Sequence, residues 1–133
     1  MLLAKESIDG KEQVLLCVNA SLKRKAKNLI ILNVKEFSSF ADYFIICSGT
    51  SDRQVQAITA AIQENLKEYG IMSLGIEGEQ LGRWVLMDYA DVIIHIFYAP
   101  VREFYDIERL WSDAPRMEVG DEVIELTALG KGM

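Results

Sequence analysis

Hydrophobic residues recur along this chain with two periods, and the switches between them outline its elements. From about Gly10 to Lys27 the spacing is helical, with Leu15, Val18 and Leu22 on one stripe and Asp9 and Glu12 spaced as a capping box. Leu29 to Val34 is apolar and partly β-branched, which predicts a strand. Lys35 to Asp42 is a connection carrying Phe37 and Phe40. Tyr43 to Cys47 predicts a second strand, apolar on both faces and therefore central in its sheet. The small-residue turn Ser48-Gly49-Thr50-Ser51 leads into a helix running to about Tyr69. Its stripe is Val55, Ile58, Ile62 and Leu66, with Ser51 and Gln54 as a capping box and Gly70 as its stop. Ile71 to Ile76 reads as a short third strand, and Glu77 to Gln80 as a polar link.

Arg83 to Phe97 holds two β-rich runs around a short polar break, the pattern of a hairpin turning at Tyr89-Ala90. A two-residue turn there pairs Asp88 with Asp91, Met87 with Val92, Leu86 with Ile93, Val85 with Ile94 and Trp84 with His95. Alternation then puts Val85, Met87, Val92 and Ile94 on a core face. The opposite face carries Trp84, Leu86, Asp88, Asp91, Ile93 and His95. Two carboxylates directly opposite each other destabilise a sheet. A partner's cation, a metal or a solvated turn tip would each account for them. An aromatic anchor rimmed by acid has the composition of a protein-binding patch. Pro100 fits the first turn of a closing helix with Val101, Phe104, Ile107, Leu110 and Trp111 inward, ended by Ser112 to Pro115. Beyond it, Glu122 to Thr127 is a weak strand candidate. The order α-β-β-α-β-β-β-α implies an α/β domain with one mixed sheet of about five strands and helices packed on it. One domain is expected over residues 1–133, with its core at about 9–118 and a tail at 119–133.

Net charge is −6, from 20 acidic and 14 basic side chains. Such a balance disfavours general nucleic-acid binding, so little direct nucleic-acid contact is expected, and it suits a basic protein surface. Lys23, Arg24, Lys25 and Lys27 cluster where they complement a helix C-terminus, with phosphate contact as the alternative. Cys17 and Cys47 fall inside predicted elements without metal-ligand spacing, as buried thiols in a reducing compartment do. There is no secretory pattern at the N-terminus and no apolar run of membrane-spanning length, so a cytoplasmic location, or its organellar equivalent, is expected and no membrane contact.

Candidate chemistry is sparse. His95 is the one histidine, mid-strand and without Cys or a second His nearby, which favours a half-buried or interface residue over a catalytic one. The Ser48–Ser51 loop runs from strand to helix, a place where backbone N–H groups can hold an anion. It lacks the lysine of a P-loop, and a capped structural turn is the favoured reading. Of Asp42, Asp52, Asp88 and Asp91, only Asp88 and Asp91 converge, which is thin support for magnesium-dependent nucleotidyl transfer. No metal site and no cofactor are expected.

Three segments resemble the signatures of one family. Ala41 to Gln54 resembles the first signature of the ribosomal silencing factor, or iojap, family; Trp84 to Phe97 is similar to the second; and Arg102 to Pro115 is similar to its closing helix. The resemblance covers about residues 9 to 118, with Met87 where an aliphatic is usual and Ala90 where Gly is common. It implies a nucleotidyltransferase-like fold and a non-catalytic role. Members bind the large ribosomal subunit through its fourteenth large-subunit protein, on the face that meets the small subunit, and hinder subunit joining. By position, the implied partner-binding residues are Trp84, Leu86, Asp88, Tyr89, Asp91 and His95. Two other readings stay open: a nucleotidyltransferase using the Ser48–Ser51 loop with Asp88 and Asp91, and a homodimer formed through the same hairpin face.

Overall fold

The computed structural model describes residues 9–120. Helix α1 (Gly10–Lys23) begins on the expected capping box: Asp9 Oδ1 accepts from the Glu12 N–H at 3.0 Å, and Glu12 Oε1 from the Asp9 N–H at 3.4 Å. It ends in a Schellman turn, with Ala26 N–H on Ser21 O, Lys25 N–H on Leu22 O, and Lys25 in the left-handed region at φ 63°. Strands β1 (Lys27–Asn33) and β2 (Tyr43–Gly49) follow, then α2 (Asp52–Glu68), β3 (Gly75–Glu77), β4 (Trp84–Asp88), β5 (Val92–Tyr98), α3 (Ala99–Tyr105), a 3₁₀ turn (Ile107–Trp111) and β6 (Arg116–Glu118).

The six strands form one mixed sheet in the order β3-β4-β5-β2-β1-β6. Only β2 and β5 run parallel; the other neighbours are antiparallel. β2 lies in the middle, and every one of its residues is buried, as its two apolar faces predict. The sixth strand, β6, has three residues and pairs with β1. So short a strand leaves no period in the sequence, and its position follows from the turn at Ala114-Pro115, where Pro115 O accepts from Asn33 N–H at 2.9 Å. The proposed third strand also shrinks, to the edge strand β3. The candidate strand Glu122 to Thr127 lies outside the described residues.

Both long helices pack on one face of the sheet. Val14, Cys17, Val18, Val55, Ile58, Ile62 and Leu66 meet Ile31, Tyr43, Ile45, Val85, Met87, Val92, Ile94 and Ile96 in a closed core. Leu15 of the expected α1 stripe is only half-buried, and Val14 and Cys17 take its place beside Val18 and Leu22. Cys17 and Cys47 are unpaired and fully buried, and burial pushes the Cys47 thiol up to about 12, so it stays protonated and unreactive. The Ser51-Gln54 box forms only in part. Ser51 Oγ accepts from Gln54 N–H, but the Gln54 side chain reaches elsewhere. Its Oε1 accepts from Thr50 N–H at 2.6 Å, and its Nε2 donates to the carbonyls of Arg24 and Lys25, tying the start of α2 to the end of α1.

Candidate docking face

Among the described residues, no long helix packs on the opposite face of the sheet. α3 and the 3₁₀ turn cover its middle through Val101, Ile107 and Trp111, which pack with Ile30, Leu32, Phe44, Ile46 and Phe97. Alternation on β4 sends Trp84, Leu86 and Asp88 to this same side, and on β5 it sends Ile93, His95 and Phe97. Trp84, Leu86, Asp88 and Ile93 remain half-buried there.

The hairpin turns one residue later than the Tyr89-Ala90 expected. Tyr89 N–H donates to Val92 O at 2.9 Å, so the turn residues are Ala90 and Asp91. Ala90 takes φ 70°, and Asp88 Oδ1 accepts its N–H at 2.8 Å, the local bond by which Asp steadies a turn. Moving a turn by one residue moves the strand register by two. The pairs are therefore Trp84 with Phe97, Leu86 with His95 and Asp88 with Ile93. Because side chains alternate with period two, a slip of two leaves every residue still within the two strands on its expected face, while Asp91 passes into the turn. Asp88 and Asp91 are consequently not opposite each other, and the repulsion that the shorter register implied does not arise.

The later turn also separates the six candidate residues. Trp84, Leu86, Asp88 and His95 share the open face. Tyr89 continues the alternation of β4 onto the helix side, where it is 5% exposed and packs in the main core. Burial pushes its hydroxyl up to about 12, and that hydroxyl has no hydrogen-bond partner among the described residues. Asp91 lies on the turn, with its Cβ close to Gly10 in the first turn of α1 and its carbonyl accepting from the N–H groups of Asp42 and Tyr43.

Trp84 is held from three sides. Its ring stacks on Phe97 at 4.9 Å between centroids and meets Tyr105 at 5.0 Å. Its Nε1–H donates to His95 Nδ1 at 3.1 Å. An indole N–H can only donate, so Nδ1 bears no proton and the imidazole is neutral with its proton on Nε2. Burial, at 8% exposure, lowers His95 to about 4 and keeps it so. His95 is thus a support beneath the indole rather than an exposed contact. Phe44 closes the far side of the imidazole edge-on, and Trp111 packs edge-on against Phe44.

Sequence reasoning missed Tyr105. The closing helix was expected to turn Phe104 and Leu110 inward, yet they are 81% and 79% exposed. The helix breaks at Asp106, which adopts φ 47°, and the chain continues as a 3₁₀ turn with a different repeat. Before the break, contact with the sheet side runs through Val101 and Tyr105, four residues apart, so Phe104 points away. That i, i+4 spacing was the available signal. Arg102 fixes the arrangement: its guanidinium donates to Asn28 O at 2.7 Å and Ser48 Oγ at 2.9 Å, and pairs with Glu108 at 3.0 Å. Beside Trp84 opens a cleft of about 470 Å³ lined by Arg83, Trp84, Tyr98, Pro100, Val101, Phe104 and Tyr105.

At the Ser48–Ser51 loop the polar groups are largely engaged within the chain. The Thr50 N–H is occupied by Gln54 and the Gln54 N–H by Ser51, while Ser48 is buried against Arg102. Among the described residues no group of three or more His, Cys, Asp or Glu is placed to hold a metal. No helix among them is long and apolar enough to cross a membrane.

The fold and site define a mixed α/β protein with one closed sheet face and one aromatic, partly open face. Its residues 7–130 match the family model described as "Ribosomal silencing factor during starvation", and the chain belongs to that family. It is 41% identical over 112 residues to the ribosomal silencing factor RsfS of Halalkalibacterium halodurans, covering 84% of this chain and 96% of that one. A crystal structure of a protein from Chromobacterium violaceum superposes with a TM-score of 0.75 at 34% identity, covering 91% of this chain and 95% of the other. A more distant relative, 27% identical, is the mouse protein named for mitochondrial assembly of the ribosomal large subunit, of which this chain spans 48%.

Proposed function

We propose that this chain represses translation by binding the large ribosomal subunit through its fourteenth large-subunit protein, and so blocks association with the small subunit. The observation that carries this is the open sheet face, on which Trp84 is locked by His95, Phe97 and Tyr105 beside Leu86 and Asp88. A rigid aromatic set in a partly apolar surface, with a carboxylate at its margin, is the anatomy of a protein-binding hot spot. The acid suits a basic ribosomal protein. The mouse relative's name also points to the large subunit. Tyr89 drops out of the contact set because it lies in the core, and His95 acts from beneath.

The role needs affinity and bulk but no chemistry. In support, Gln54 Oε1 takes up the Thr50 N–H in the loop that an enzyme would use for phosphate, and Ser51 Oγ takes up the Gln54 N–H. The test is sedimentation of purified small and large subunits with and without the protein. Joined ribosomes should fall, and the protein should travel with the free large subunit. Unchanged joining with no co-sedimentation would end the proposal.

A further inference from the structure

The chain is acidic overall, yet one end of it is not. Lys23, Arg24 and Lys25 finish α1, Lys27 opens β1, Arg53 stands in the first turn of α2, and Arg83 precedes β4. The bonds from Gln54 to the Arg24 and Lys25 carbonyls bring the first and third of these elements together. Lys27 pairs with Ser48, and Arg83 O accepts from Tyr98 N–H, so both lie at the same end of the sheet. All of these side chains are exposed except Lys27, which is half-buried. Acids flank the group: Asp52 beside Arg53, and Glu64 and Glu68 in a groove shared with Lys23 and Arg24. Even so, Arg24, Lys25, Lys27, Arg53 and Arg83 make no ion pair among the described residues, whereas Arg102, Arg109 and Arg116 each do. The helix-dipole explanation covers the end of α1 but not Arg53, which sits at a helix N-terminus where a cation is unfavourable.

Lys25 is the telling member. It occupies the left-handed position of the Schellman turn, where glycine is the less costly residue. Asn28 repeats that conformation at φ 51° three residues later. A lysine held there against its backbone preference is explained if its charge is used. The cationic end also adjoins the docking face, since Arg83 lines the same cleft as Trp84 and Tyr105. A basic ribosomal protein would repel these side chains, so their partner is a different, anionic surface next to it.

We infer that Lys23, Arg24, Lys25, Lys27, Arg53 and Arg83 form a second contact, to the phosphate backbone of ribosomal RNA flanking the docked ribosomal protein. The inference rests on the docking reading above. It narrows the expectation of little nucleic-acid contact, which came from the net charge and not from its distribution. Flexible cations scattered over one end suit phosphates without base recognition, so the contact supplies affinity and orientation and no sequence preference.

The experiment measures binding to purified large subunits, and separately to the isolated fourteenth large-subunit protein, across a salt series. Two variants are compared with the unaltered chain: a triple reversal, Arg24→Glu with Lys25→Glu and Lys27→Glu, and the single change Lys25→Gly. The reversal should weaken subunit binding by about tenfold or more and flatten its salt dependence, each lost phosphate contact lowering the log–log slope by roughly 0.7 to 0.9. Lys25→Gly should bind subunits more weakly while melting no lower than the unaltered chain, which excludes a folding defect. Neither change should weaken binding to the isolated ribosomal protein. Unchanged subunit affinity and slope in both variants would overturn the inference, as would loss of binding to anionic vesicles instead, which would assign the patch to a membrane surface. An unaltered chain that binds subunits but not the isolated ribosomal protein would overturn the docking reading, and the reversal would still decide this one. No binding of the unaltered chain to subunits would overturn both.

Discussion

The two faces of the sheet use the same side-chain chemistry to different ends. On the helix side, Val85, Met87, Ile94 and Ile96 are wholly buried under α1 and α2, and packing is completed within the chain. On the other side, Trp84, Leu86 and Ile93 come from the same two strands but are covered only in part, by a seven-residue helix and a 3₁₀ turn. The difference lies in what the described residues supply as a lid. Covering an apolar, half-buried face further removes more apolar surface from water, which is the free energy that the proposed docking would use.

The comparison breaks most severely on the helix side. Ile94→Ala should destabilise the fold by about 2 to 5 kcal/mol, the cost of an unfilled cavity in a tight core, measured by denaturant unfolding. A loss under about 1 kcal/mol would mean that the helix face is less closed than its burial indicates. On the open face, Trp84→Ala should cost about 2 kcal/mol or more of binding to the isolated ribosomal protein. Because Trp84 also stacks on Phe97 and bonds to His95, some loss of stability accompanies it. Leu86→Ala, which spares those contacts, should lower affinity with little change in melting. If Trp84→Ala binds normally once folded, the face is ordinary core.

His95 connects the two roles through pH. Its value falls to about 4 in the fold because burial disfavours the charged ring. Near neutral pH both folded and unfolded chains hold it uncharged. As pH drops below the ordinary value of about 6.5, the unfolded chain takes up a proton that the folded one refuses, so stability falls until about pH 4 and then levels. Between pH 7 and pH 5 the loss from this group is roughly 2 kcal/mol. His95→Gln should flatten that part of the pH profile, and an unchanged profile would show that another group carries it. In the folded chain the ring takes its proton only near pH 4, where Nδ1 turns from acceptor to donor, so Trp84 emission should hold between pH 7 and pH 5 and change around pH 4. The smallest effect belongs to Tyr89→Phe. Its hydroxyl is buried without a partner, so the change should leave stability equal or raise it by up to about 1 kcal/mol, with affinity untouched. A loss of affinity would return Tyr89 to the contact surface.

Much of the architecture was legible because it is written in local periodicity. The caps at Asp9 and Ser51, the stripe of α2, the doubly buried β2 and the sorting of Val85 and Met87 from Trp84 and Leu86 all follow from spacing alone. The face assignment survived an incorrect turn because a one-residue shift of the turn moves the register by two, and two is the side-chain period. The same shift decided what periodicity could not: which of Asp88, Tyr89 and Asp91 stand together. Turn residues obey no alternation, so their directions depend on the bond from Asp88 to the Ala90 N–H and on the nearness of α1.

The sequence by itself determined the order of elements, the core face and the aromatic strand residues, since these depend on contacts between near neighbours along the chain. Only the tertiary structure decided that His95 lies beneath Trp84, that Tyr105 closes over it and that six cations share one end. Those relations join residues from 11 to about 60 positions apart, and they depend on register and helix phase, which no local pattern encodes.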